Sequence, residues 1–389
     1  VSEKALKDLV GRCEELCFDL ELTSVSRWKE EHPGARAIGY MPIYVPREIV
    51  HAAGMLPVGV LGGGDRTEII RGDAYFQSYI CHIPRSTIEL GLAGKLDLLD
   101  GMLFPSICDV IRNLSGMWKL LFPDRYVKYF DVPQNFSTEV GGRYYRKELE
   151  GLKSDLEGLS GGAITDEALE RSIGVYNENR RLCREVFRRR SETPWKIPTA
   201  EAYLVLRAGS VLPVEEHNRI LESYLEYVEG VRRKERDKAR VIVTGAFCEQ
   251  PPLGLIRTLE RAGCYIVDDD FMLASRWHTE DIPRDGDPLG ALVEAFLHHS
   301  VSTASIYEPN RKGEHLVDSF RRHRAEGVIF CAASFCDPAL LDRPMLQAAL
   351  DREGISYTSF KYSEDTGQFG VIREQAGTFA DSIKLWSPA

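Results

Sequence analysis

Three cysteines stand immediately ahead of predicted helix starts. Cys81 lies in Ser78-Tyr79-Ile80-Cys81-His82-Ile83-Pro84-Arg85, Cys108 in Phe104-Pro105-Ser106-Ile107-Cys108-Asp109, and Cys336 in Ser334-Phe335-Cys336-Asp337-Pro338. Thiolates gathered at the loop ends of an α/β fold can hold an iron–sulfur cluster. Three thiolates, rather than four, leave one iron open to a substrate. Asp109 and Asp337 are suited to cap the first turn of the helix that follows. Pro338 fits a first helical position, and Pro84, three residues after Cys81, marks a helix start in the same way. A helix N-terminus offers partial positive charge and free N–H groups. Both lower a thiol's pKa and favour an anionic cluster.

The other cysteines set the competition. Nine cysteines is an odd number, and no C-x-x-C pair occurs. Short zinc spacings and the dense ferredoxin run are both absent, so any metal site is assembled from distant parts of the chain. The first residues read as an amphipathic helix start without the apolar stretch of a signal peptide. The expectation is therefore a cytoplasmic protein with reduced thiols or metal ligands rather than disulfides. Cys248 competes with the three. It follows a strand, precedes Glu249 and has Pro251-Pro252 at the next helix start, and local physics leaves it open. Cys331 ends an apolar strand and reads as packed. Cys13, Cys17, Cys183 and Cys264 read as structural, since free cysteine behaves as a small hydrophobe.

The elements that must position these residues follow from periodicity. Leu6, Leu9, Val10, Cys13, Leu16, Cys17 and Leu20 make one helical stripe over 3–20. Strands are predicted at Ala35–Met41, Leu56–Leu61, Met102–Pro105 and Val127–Asp131. A short helix opens at Pro46 and closes at Gly54. From about Thr165 to Lys238 the pattern is helical and highly charged, interrupted by one strand-like apolar stretch at Tyr203–Leu206. A second unit then brings strands at Val241–Thr244, Tyr265–Val267, Gly327–Cys331 and Ile355–Phe360, with a helix over Leu253–Ala262 and a closing helix over Gln375–Trp386. Strands alternating with helices predict an α/β protein with mostly parallel sheets, in two Rossmann- or flavodoxin-like lobes joined by a helical connector. The expected division is 1–34 (N-terminal helical segment), 35–164 (first lobe, Cys81 and Cys108), 165–238 (connector) and 239–389 (second lobe, Cys336). Ligands of open α/β sheets sit outside the carboxyl ends of the strands. A cleft shared by two lobes could therefore unite Cys108 and Cys336, 228 positions apart (336 − 108).

Composition narrows the function. The 389 residues are 43% hydrophobic and 28% charged, an ordinary globular balance, and the net charge of −10 gives nucleic-acid binding little support. No apolar run is long enough to span a bilayer. There is no phosphate-binding G-x-x-x-x-G-K-[ST] loop, so no nucleotide is expected on this chain. Gly62-Gly63-Gly64 is a turn after a strand rather than a dinucleotide fingerprint. His82, beside Cys81, is a candidate general acid. Arg85 is a candidate for steadying nearby negative charge. Asp268-Asp269-Asp270 reads as a capped turn with solvated carboxylates, a metal site being the alternative. Arg180, Arg181, Arg184, Arg188, Arg189 and Arg190 read as a solvated helix face or a subunit contact. The alternative there is a grip on phosphate, which arginine matches well.

Taken together, Tyr79-Ile80-Cys81-His82-Ile83-Pro84-Arg85-Ser86-Thr87, Asp100-Gly101-Met102-Leu103-Phe104-Pro105-Ser106-Ile107-Cys108-Asp109 and Phe335-Cys336-Asp337-Pro338 resemble the 2-hydroxyacyl-CoA dehydratase family. That family includes the cluster-binding subunits of ATP-dependent benzoyl-CoA reductases. The likeness runs from about Ala35 to Trp386. The tail Ile372-Arg373-Glu374-Gln375-Ala376-Gly377-Thr378-Phe379-Ala380-Asp381 is similar to the reductase branch, in particular to its C (gamma) subunits. The resemblance implies that Cys81, Cys108 and Cys336 ligate a [4Fe–4S] cluster, that Cys336 rather than Cys331 is the ligand, and that Cys248 is none. It implies a homologous cluster-binding B subunit as partner, a separate ATPase pair with its own [4Fe–4S] cluster, and ferredoxin as upstream donor. The implied reaction is two-electron reductive dearomatisation of benzoyl-CoA to cyclohexa-1,5-diene-1-carbonyl-CoA. Two alternatives stand beside it: a 2-hydroxyacyl-CoA dehydratase subunit, which eliminates water, and an electron-relay or scaffold subunit that binds no substrate.

Overall fold

The computed structural model describes residues 3–245, 251–272, 274, 280–300, 309–363 and 369–386. Helices α1 (Glu3–Phe18) and α2 (Thr23–Glu31) lead into β1 (Ala37–Tyr40), α3 (Arg47–Ala52), β2 (Leu56–Gly59), α4 (His82–Leu92), β3 (Gly101–Pro105), α5 (Asp109–Leu121) and β4 (Tyr126–Phe130). A helical belt follows: α6 (Arg143–Ser160), α7 (Asp166–Glu192), α8 (Thr199–Ala208) and α9 (Val214–Gly230). The second unit is β5 (Ala239–Thr244), α10 (Leu253–Arg261), β6 (Cys264–Asp269), α11 (Pro288–His299), α12 (Pro309–Arg322), β7 (Gly327–Ala333), α13 (Asp337–Arg352), β8 (Tyr357–Tyr362) and α14 (Phe369–Trp386).

Both sheets are parallel and four-stranded, and they share one strand order. The first runs β2-β1-β3-β4 and the second β6-β5-β7-β8. Buried parallel strands read as near-continuous apolar runs, because helices cover both faces. β1, β2, β3 and β7 are accordingly buried along their full lengths. The two units also agree in detail. Ser106 N–H, one residue past β3, donates to Phe130 O at the end of β4 (2.9 Å). Ser334 N–H, one residue past β7, donates to Tyr362 O at the end of β8 (2.7 Å).

In each sheet the strand order reverses between the first strand and the third, which makes a crevice at their carboxyl ends. Cys108 follows β3 and Cys336 follows β7, so both cysteines stand at these switch points. α5 is held there by Ile111, Leu114, Ser115 and Trp118, a helical stripe facing the sheet. Trp118 is fully buried against Phe104 and Phe122, with ring centroids 5.9 and 4.5 Å away. Replacing it by alanine would cost roughly 3–5 kcal/mol.

The strand-like stretch at Tyr203–Leu206 lies within α8, so the belt is helical there too. A four-residue apolar run satisfies either period, and here it packs against α1, α9 and α10 rather than a sheet. Helix α14 begins at Phe369, six residues before the sequence suggests. Cys248 and Glu249 lie outside the described residues. Cys13, Cys183, Cys264 and Cys331 are buried as expected, and Cys17 is half-buried, its thiol donating to Leu204 O. No described helix is long and apolar enough to cross a membrane.

Candidate metal centre at the carboxyl ends of the sheets

Each of the three cysteines occupies a helix N-cap: Cys81 for α4, Cys108 for α5 and Cys336 for α13. α4 packs against α5, so the first two caps belong to neighbouring helices of one unit. Cys81 and Cys108 are half-buried, whereas Cys336 is 6% exposed. Cys336 belongs to a packed core that runs from the first sheet through the belt to the second, and Cys108 packs against the same core.

Electrostatics ties the two units together at this point. Burial pushes the Cys108 thiol up from its ordinary pKa, while the N–H groups of Ile111 and Val110 in the first turn of α5 pull it back. Asp109 and Asp337 push it up again. Asp337 immediately follows Cys336, so the chain does bring the loops after β3 and β7 together. Among the described residues no three His, Cys, Asp or Glu side chains lie close enough to grip a single metal ion. A four-iron cluster makes a different demand, because its thiolate ligands spread around a cube. The residues fit such a group in kind: three thiols, each at a helix N-terminus, two of them at the corresponding ends of β3 and β7.

The loop that delivers Cys81 is fastened at several points. Gly62, at φ 72, lets the turn after β2 lie against α4; a side chain there would collide with Ser86 Oγ. Ser86 Oγ accepts from Gly63 N–H (3.2 Å) and donates to Ile83 O (3.1 Å). One oxygen of Glu89 accepts three backbone N–H groups, from Ile70 (2.9 Å), Arg71 (2.6 Å) and Gly72 (2.9 Å). Although burial opposes it, these bonds hold the Glu89 carboxyl below its usual pKa. Arg85 spends its charge on Asp73 (2.7 Å) and so clamps this loop. His82 is the first residue of α4, half-buried beside Cys81. Before Cys336, Phe335 holds φ 66 and is 51% exposed. For a bulky residue this left-handed conformation costs about 1–2 kcal/mol.

Two polar groups serve the fold more than the sequence suggests. Asp269 is buried and paired with buried Arg190, and it also caps the turn by accepting from Phe271 and Met272 N–H. Asp268 accepts from Ser319 Oγ, and Asp270 from Thr244 Oγ1 and Gly245 N–H. The three carboxylates are thus divided among separate partners, and Asp269 is not solvated. In the arginine run, Arg180 and Arg190 are buried rather than surface residues. Arg180 pairs with Glu48 at 2.6 Å, Arg181 and Arg184 share Asp281, and Arg188 and Arg189 share Glu185. Every member of the run meets an acid, most of them from another element.

The sequence did not single out a second group of polar residues, which lines a cavity beside the carboxyl ends of β1 and β2 and includes Arg47, Asn179 and His217. The only local signal was Pro46-Arg47-Glu48, an ion-bearing helix start inside an apolar stretch.

Residues 42–383 match the family described as 2-hydroxyglutaryl-CoA dehydratase, D-component. The chain is 59% identical over 382 residues to the C subunit of benzoyl-CoA reductase from Thauera aromatica, covering 98% of this chain and 99% of the relative. It is 30% identical over 354 residues to the (R)-phenyllactyl-CoA dehydratase beta subunit of Clostridium sporogenes (91% and 93%). It is 31% identical over 367 residues to the beta subunit of (R)-2-hydroxyglutaryl-CoA dehydratase from Acidaminococcus fermentans (93% and 95%).

Proposed function

This chain belongs to the 2-hydroxyglutaryl-CoA dehydratase D-component family, and on that footing we propose that it is the C-type iron–sulfur subunit of an ATP-dependent benzoyl-CoA reductase. The observation that carries the reading is the 59% identity to the C subunit of a benzoyl-CoA reductase over nearly the whole of both chains. The dehydratase beta subunits match at about half that level. The relatives are named as subunits, which supports work in a hetero-oligomer. The finer assignments are a B-type partner, an ATPase pair and ferredoxin as donor.

Cys81, Cys108 and Cys336 are the ligands in this reading. A [4Fe–4S] cluster held by them would supply electrons one at a time at low potential. The chain's own residues prepare that site. The N-termini of α4, α5 and α13 offer N–H groups to the sulfurs. Asp109 and Asp337 add negative charge, which makes a reduced site a stronger donor. The packed core around Cys336 excludes water. Benzoyl-CoA takes up two electrons and two protons to give the cyclohexadiene thioester. The first electron is the hard one, and its charge spreads from the ring onto the thioester carbonyl oxygen. A hydrogen-bond donor or a cation at that oxygen lowers the barrier. His82 is the candidate proton donor, by its place beside Cys81.

The test is an anaerobic assay of the chain with its partner and ATPase. Ring reduction consumes two electrons per product. A dehydratase would turn over with only a catalytic dose of reductant, and that outcome would replace this reading. Iron and sulfide analysis of the anaerobic protein separates both from a metal-free protein.

A further inference from the structure

A cavity of about 100 Å³ lies between the carboxyl ends of β1 and β2, the belt, and the segment after β6. Its wall includes Tyr40, Tyr44, Arg47, Leu61, His217 and Met272. Leu61 runs straight into Gly62, against which the first turn of α4 packs. The cavity therefore adjoins the loop that leads to Cys81.

Three guanidinium groups border this space: Arg47, Arg180 and Arg207. Arg180 is committed to Glu48 and Asn177. Arg207 lies over Phe18 and Tyr203 and donates to the Tyr203 hydroxyl (2.7 Å). Arg47 lies over the Tyr176 ring at 5.0 Å and bonds the Tyr40 hydroxyl. The Glu48 carboxylate attracts Arg47 but is hydrogen-bonded to Arg180, so these two guanidinium groups share one carboxylate. The remaining titratable wall groups add no counter-charge. His217 accepts from Asn179 N–H and faces Val205 O, and burial pushes it down to about 4. Burial pushes the Cys183 thiol up to about 12. Both are neutral near pH 7.

Guanidinium groups that outnumber the carboxylates beside them leave an enclosed positive charge, which is costly unless a ligand supplies the balance. Apart from Asn179 and Ser210, the rest of the wall is mostly aromatic and aliphatic and encloses a narrow space. An apolar cavity of about 150 Å³ accepts benzene; this one is smaller, so a ring enters only as the wall side chains give way around it. We propose that this cavity receives the aryl end of the thioester, with Arg47 facing the thioester carbonyl oxygen. The assignment rests on the proposed function and deepens it by placing the ring in this subunit. Arg47 is then the cation toward which negative charge moves when the ring is reduced. The close fit makes bulky ring substituents unfavourable.

Equilibrium binding to the intact anaerobic complex, without ATP or reductant, tests this. The probes are benzoyl-CoA, a 4-tert-butyl-benzoyl thioester and free coenzyme A. Arg47→Met, and separately Val45→Phe, which fills the cavity, are expected to weaken benzoyl-CoA binding at least tenfold. Free coenzyme A should bind as before, and Arg47→Lys should restore part of the loss. In the unaltered complex the bulky thioester should bind at least tenfold more weakly than benzoyl-CoA. Unchanged benzoyl-CoA binding in both variants overturns the assignment, as does equal loss of thioester and free coenzyme A. If neither variant folds, equal binding of the bulky and plain thioesters overturns it. Ring reduction by the unaltered complex is measured separately, so a misplaced cavity and a wrong function give different results.

Discussion

Asp337 of the second unit lies near enough to Cys108 of the first for its carboxylate to help keep that thiol protonated. The same charge would bear on any cluster held between them. Asp337→Asn is expected to leave iron content intact while raising the cluster's reduction potential. A loss of about 1 kcal/mol of charge interaction corresponds to roughly 40 mV for one electron. Cys81→Ser, Cys108→Ser and Cys336→Ser should each lower iron and sulfide content. Redox titration with metal analysis checks both, and full iron in all three serine variants would remove the metal centre.

Glu89 is the peg for the loop before Cys81. Glu89→Gln keeps the shape but loses the charge that accepts three N–H groups. Losing a charged acceptor of backbone N–H groups should cost about 1–3 kcal/mol. Hydrogen exchange at Ile70, Arg71 and Gly72 should speed up, while exchange in β3 should not change. Equal acceleration everywhere would point to global destabilisation instead.

Arg190 and Asp269 form a pair with almost no solvent contact. Arg190→Met leaves a buried carboxylate and should cost about 3–5 kcal/mol. Replacing both, as Arg190→Met with Asp269→Leu, should recover much of that loss. Urea denaturation of the two single variants and the double variant measures the coupling.

His217 gives the protein an acid-sensitive element. Burial holds it neutral, at a pKa of about 4, against about 6.5 in an unfolded chain. As pH falls, the unfolded state takes up the proton first. The stability this group contributes is complete above about pH 6.5 and is lost as pH falls toward 4, up to about 3 kcal/mol. His217→Gln should flatten the slope of unfolding free energy in that window. An unaltered slope would place the sensitivity elsewhere.

The sequence carried the site further than the cavity. Cys108-Asp109 and Cys336-Asp337-Pro338 advertise helix starts through short-range chemistry, and both starts lie where expected. The apolar runs of β3 and β7 were legible for the same reason. Tyr203–Leu206 stayed ambiguous within the helical belt because four apolar residues do not fix a period. Arg47, Asn179 and His217 are separated by more than 130 and then 38 positions, and no local rule joins them. The destinations of Arg180 and Arg190 were hidden too, since Glu48 and Asp269 are distant in the chain.

The shared strand order has a mechanical consequence. Two of the candidate sulfurs belong to one half of a duplicated architecture and the third to the other half. Inorganic iron gripped by all three would act as a clasp, fixing the separation of halves that otherwise meet through a packed seam. Stripping the metal should then let the halves part, and the molecule should gain a larger radius of gyration in solution scattering without losing helix content.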